Sequence, residues 1–241
     1  MIPRVGDGTL SAWIPRGLVE LDHERVGSPA PITRADGLCA LQVSWREGRI
    51  VQVQPLDEGA EEPDGMLLPR LLEPHAHLDK AFSWSRYPNL SGTYAGAMAA
   101  NLREHQSRTL EVVQERFERS MHLAWRHGLR AVRTHIDSLG PGAQCSWDAI
   151  LEGASRWQDR VTVQPVALVP VEHWSSSEGE QLAARRGHSR ALRKLLALAD
   201  RHGCGVDLHI DEASSEPAAG MVQLMRVLKR MTVSVPITCS H

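Results

Sequence analysis

Cysteine is sparse in this 241-residue chain: the four, Cys39, Cys145, Cys204 and Cys239, are scattered and form no C-x-x-C pair. That spacing reads most simply as reduced, buried small hydrophobes in a cytoplasmic protein. Charge of one sign is also lacking. Lys and Arg total 27 against 29 for Asp and Glu, a net charge of −2, so there is no electrostatic footprint for nucleic acid or an anionic membrane. No stretch approaches the roughly 18 apolar residues of a spanning helix, and the first residues lack a signal-peptide pattern. Short repeats and low-complexity tracts are absent as well. The chain is long enough for one large domain or two small ones, each with a buried core.

What is present centres on residues 67–79, an apolar run ending in His75-Ala76-His77-Leu78-Asp79. In an extended strand residues i and i+2 share a face, so both imidazoles project together from the strand's end. Neutral imidazole is the commonest metal ligand, and a catalytic site usually takes about three protein ligands and leaves one position open. Two further strand-like runs end in histidine. Residues 206–212 put His209 and Glu212 where a strand opens into a loop, and residues 235–241 close the chain at His241. Histidines at the ends of successive βα units would meet at the mouth of a parallel barrel.

In order, Glu73-Pro74-His75-Ala76-His77-Leu78-Asp79, Val132-Arg133-Thr134-His135-Ile136-Asp137, Asp207-Leu208-His209-Ile210-Asp211-Glu212 and Thr238-Cys239-Ser240-His241 resemble the motifs of bacterial cytosine deaminases of the amidohydrolase superfamily. Asn89-Leu90-Ser91-Gly92-Thr93 looks like the loop after the first barrel strand of that family. The other zinc deaminase class, marked by H-x-E and a later P-C-x-x-C, finds no match.

The resemblance implies an α/β fold, a (β/α)8 TIM barrel flanked by a small β-sandwich. Residues 1–65 would form the sandwich segment and residues 66–241 a partial barrel. It implies one divalent ion, Zn or Fe, held by His75, His77 and His209, acting as a Lewis acid that lowers the pKa of water. Glu212 would be the general acid/base and His241 would contact the attacking water. Val171 and Trp174, after the third strand, would face the substrate. Cytosine deaminases read the pyrimidine edge with a Gln where this chain carries Val171, which neither donates nor accepts, so cytosine itself is disfavoured. His77 to Lys80 is similar to the opening motif of relatives acting on aminotriazines. The expected reaction is hydrolytic deamination of an aminated heterocycle such as a pyrimidine or triazine. The partner is that small molecule, with a homo-oligomer also compatible. The competing reading is a non-catalytic remnant with an incomplete metal site.

Along the chain, residues 38–54 alternate about Glu47-Gly48 and predict a β-hairpin; residues 55–65 read as a linker, and residues 1–36 carry little period. A loop over 81–93 is long enough to overhang the site. One helix is expected over 94–127, strands over 129–137 and 161–169, and a helix from Ser146, its N-cap, to Trp157. Helices over 190–199 and 217–230 precede the last two strands. No fourth barrel strand is visible between 170 and 205. Residues 66–241 also fall short of the roughly 250 of a complete barrel, which points to a fragment or incomplete copy of a longer protein. His135 and Asp137 are expected to support the ligands rather than bind metal. His105 and the remaining histidines are read as solvated.

Overall fold

The computed structural model describes residues 6–19, 31–57, 59–171, 184–211 and 219–240, with the backbone alone at 184–188. The chain divides into two compact units, Met1–Arg70 and Leu71–His241.

In the first unit β1 (Gly8–Pro15), β2 (Leu38–Arg46) and β3 (Arg49–Pro55) form an antiparallel sheet in that order. The predicted hairpin is β2–β3. Its two-residue turn places Glu47 at φ 50° and Gly48 at φ 76°, the left-handed pair that matches the twist of the flanking strands. β1 lies in the segment whose sequence carried little period. Only Ala12, Trp13 and Ile14 of this strand are buried, so no alternation of sidedness runs along it. Ala12, Ile14, Cys39, Leu41 and Val43 make the small core.

The second unit is α/β. β4 (Leu71–Ala76), β5 (Leu129–Asp137) and β6 (Thr162–Leu168) form a parallel sheet, and β7 (Val206–His209) and β8 (Ile237–Ser240) a parallel pair. Parallel strands need crossovers, supplied here by α1 (Tyr94–Gln106) and α2 (Leu110–Arg126), α3 (Ala143–Trp157), α4 (Ala184–His202) and α5 (Ala219–Leu228). Val113, Phe117 and Met121 of α2 pack with Ala149, Ile150 and Trp157 of α3 against Val132 and Ile136 of β5. A second cluster joins Leu192, Leu196 and Ala199 of α4 to Val206, Leu224 and Val227. Among the described residues the sheets do not close into a barrel, and no strand lies between β6 and β7.

Two helix boundaries correct the sequence reading. The single helix expected over 94–127 is two, because Thr109 caps α2 by accepting a hydrogen bond from the Val112 N–H while Arg108 turns inward. α3 begins at Ala143, earlier than Ser146. Its N-cap is Gly142, where a Cβ would come within 2.8 Å of the His105 carbonyl oxygen. The Ser146 hydroxyl, instead of capping, donates to the Gly142 carbonyl and accepts from Arg108. The cysteines are all free, and Cys204 is exposed, against the expectation of burial.

Candidate metal centre

The C-terminal ends of β4, β5 and β7 bring four histidines together. His75 lies near the end of β4 and His77 just beyond it, His135 lies on β5, and His209 is the last residue of β7. Ring centroids are 5.2 Å apart for His75 and His77, 4.5 Å for His75 and His209, and 5.4 Å for His77 and His209. His135 is fully buried and packs on His75 at 4.2 Å with 30° between the ring planes.

The tautomer of His77 follows from its partner. Its Nδ1 is 3.0 Å from the His135 carbonyl oxygen; a carbonyl only accepts, so Nδ1 carries the proton and Nε2 the lone pair. That Nε2 is 3.4 Å from Nε2 of His209. Two nitrogens each about 2.0–2.1 Å from one tetrahedral ion sit about 3.3–3.4 Å apart. Burial, and then the Lys80 ammonium, push the His77 pKa down to about 3, which keeps the ring in its neutral, ligating form at ordinary pH. Nitrogens of His75, His135 and His209 also lie within 4.8 Å of one another. The donor set, imidazoles converging from three strands, fits a divalent ion.

Behind the histidines lies a network of charged groups. Arg108 is fully buried and donates to Asp79 (2.9 Å), Asp137 (3.1 Å), Ser146 (2.9 Å) and both oxygens of Glu104. Arg116 donates to Glu104 and to the Asp79 carbonyl, and Lys80 reaches Asp137 at 2.8 Å. The Asp137 N–H donates to the Asp79 carboxylate. The loop after His77 is thereby tied to the end of β5. Burial raises the pKa of Asp79, with Asp137 adding to the shift. Burial would also raise Glu104 and Asp137, but Arg108 and Arg116 beside the first, and Lys80 and Arg108 beside the second, hold both below their ordinary values.

The three sequence-predicted ligands, His75, His77 and His209, stand together. Val171 follows β6 and is half-buried. Glu212, His241 and Trp174 lie outside the described residues. Asp211, beside Glu212 in sequence, accepts from the Gly220 and Met221 N–H groups at the start of α5. His105, read as solvated, is buried, with Nδ1 accepting from the Gly142 N–H. Sequence reasoning missed Arg108 and Asp207. Asp207, whose Oδ2 is 2.9 Å from Arg133 and 3.3 Å from His135, had a faint signal in its i, i+2 spacing from His209.

No family model matches the chain. It is 26% identical over 230 residues to a pterin deaminase of Rhizobium rhizogenes, covering 86% of this chain and 53% of that protein. It is 24% identical over 182 residues to an N-isopropylammelide isopropyl amidohydrolase of Pseudomonas sp. strain ADP, covering 70% of this chain and 41% of that protein. Its fold is similar to that of a Klebsiella pneumoniae 5-methylcytosine deaminase, with a TM-score of 0.70 at 18% identity over 97% of this chain and 58% of the other. The two relatives in sequence are thus a deaminase and an amidohydrolase, and the solved structure is similar in fold. The chain spans about half the length of the curated relatives it matches. Among the described residues no helix is long and apolar enough to cross a membrane.

Proposed function

We propose that this chain carries the metal site of a hydrolase that cleaves a C–N bond in an aminated heterocycle, by hydrolytic deamination. The observation that carries the reading is the convergence of His77 Nε2 on His209 Nε2 at 3.4 Å, with His75 beside them. The parallel strands β4 to β8 are read as part of a (β/α)8-type barrel, whose strand ends gather at one mouth. His75, His77 and His209 hold one ion, Zn or Fe. When bound, that ion supplies Lewis-acid chemistry and lowers the pKa of water towards about 7. Glu212 takes a proton from the attacking water and returns it to a ring nitrogen, and His241 contacts the same water and stabilises developing charge. Deamination adds water across the C–N bond and releases ammonia.

The substrate proposed is a pterin or aminotriazine-like ring in preference to cytosine. Val171 offers no hydrogen bond to a pyrimidine edge, and the relatives with the sequence matches are named for pterin and isopropylammelide.

The test is ammonia release by the zinc- or iron-loaded protein from pterin, cytosine and 5-methylcytosine, and alkylamine release from N-alkylated aminotriazines. Release is expected from at least one, and Glu212→Gln is expected to lower it about 10²–10⁴-fold, the usual contribution of a general acid/base. Unchanged release in Glu212→Gln removes that residue from the reaction. No ammonia or alkylamine from any of the rings, together with sub-stoichiometric metal, would instead identify a non-catalytic remnant.

A further inference from the structure

We propose that His135 is the positioning residue of the metal centre: it holds the rings of His75 and His77 in their ligating orientation and registers them against His209. The proposal rests on the metal-site reading above and goes beyond it. Three contacts carry it. The His135 ring packs on His75 at 4.2 Å and 30°. Its carbonyl accepts the His77 Nδ1 proton at 3.0 Å. Its Nε2 lies 3.3 Å from Oδ2 of Asp207, a close approach without a hydrogen bond; Asp207 is two residues before His209 and therefore on the same face of β7.

The third contact matters because of the topology. Among the described residues no backbone pairing joins the β4-β5-β6 sheet to the β7-β8 pair. The ligands on β4 and the ligand on β7 are therefore registered by side chains. Asp207 is the anchor, nearly buried, with Oδ2 accepting from Arg133 of β5 at 2.9 Å and packed 3.3 Å from the His135 ring, and Oδ1 accepting from Ser240 of β8 at 3.0 Å. A displacement of β7 by even a fraction of an ångström would move His209 Nε2 off the position it shares with His77.

A nitrogen of His135 also lies within 4.8 Å of those of His75 and His209, which by distance alone would make it a ligand. Ring orientation argues otherwise. An imidazole binds an ion in its own ring plane, and two rings packed nearly face to face serve poorly as ligands of one ion. His135 thus acts on the ion through its neighbours, as outer partners of metal ligands do.

The experiment measures Co²⁺ and Zn²⁺ affinity of the purified chain by chelator competition, together with the visible spectrum of the Co²⁺ form and the thermal unfolding of the metal-free form. His135→Ala is expected to weaken binding about 10–100-fold. Asp207→Asn is expected to weaken it at the lower end of that range. His135→Phe, which keeps a ring face against His75, should retain part of the affinity and the wild-type Co²⁺ spectrum. Wild-type affinity and spectrum in His135→Ala would overturn the proposal. So would a Phe variant as damaged as the Ala variant with an altered Co²⁺ spectrum, because that pattern marks a direct ligand. Should His135→Ala fail to fold, the Phe and Asp207→Asn variants carry the same comparison. A wild-type chain that binds neither ion would instead fail the metal-site reading itself, and the positioning role with it.

Discussion

Arg108 shows how much of the site's order is held by one side chain. It is surrounded by Asp79, Glu104 and Asp137, with its side chain fully buried. Removing a single partner from such a group leaves the others charged and dry. Arg108→Met is expected to destabilise the fold by about 3–5 kcal/mol at neutral pH, read as a lowered urea midpoint. Glu104 and Asp137 are held below their ordinary carboxylate values by the neighbouring cations. Their contribution is therefore present at neutral pH and lost as the pH falls through the depressed folded values. Asp79, with its pKa raised by burial, works in the opposite sense, and its penalty is relieved as it takes up a proton. The gap between wild type and Arg108→Met should accordingly narrow on moving from about pH 7 to about pH 3; a constant gap would mean the arginine acts through packing alone. None of this was legible in the sequence, since an arginine 29 residues from its aspartate carries no local pattern. The ligands were legible, because His75 and His77 share a face by strand geometry and His209 ends a strand-like run. The place of His135 against them depends on how β5 sits between its neighbours, which spacing along one strand does not encode.

At the scale of elements, periodicity identified the βα alternation and the β2–β3 hairpin, and failed where a tertiary contact overrode it. The helix break at Arg108 and the early start of α3 at Gly142 have one cause, the close approach of the α1–α2 junction to the start of α3 around His105 and Arg108. The same closeness governs the face where α2 meets α3. A Cβ built at Gly153 would lie 2.3 Å from Cε1 of Phe117, so no side chain fits unless the helices separate or the buried ring shifts. Gly153→Ala, although it favours helix intrinsically, is expected to destabilise by about 1–3 kcal/mol through overpacking. An unchanged or raised denaturation midpoint would show that the ring can move aside at no cost. Here an alanine that helix propensity favours is expected to lose to geometry.

For the molecule as a whole, the two units differ in what a bound ion can do to them. All the candidate ligands lie in the unit Leu71–His241, and among the described residues β4 and β7 reach one another through side chains rather than one continuous sheet. An ion bridging β4 and β7 would therefore bind only the folded unit, since the unfolded chain places His77 and His209 far apart. Free ion at 100 times its dissociation constant stabilises such a state by about 2.7 kcal/mol. For a unit of this size that corresponds to a rise in Tm on the order of 5–10 °C. The rise should appear in the transition of the second unit, leave that of the β1-β2-β3 unit in place, and reverse with a chelator. His77→Ala, which removes one of the two converging nitrogens, should abolish most of the shift without moving the metal-free Tm by a comparable amount. A chain whose Tm is indifferent to saturating zinc and iron would lack the site, however well its histidines are placed. A shift that survived in His77→Ala would relocate the ion to the other three rings and make His135 a ligand in place of a support.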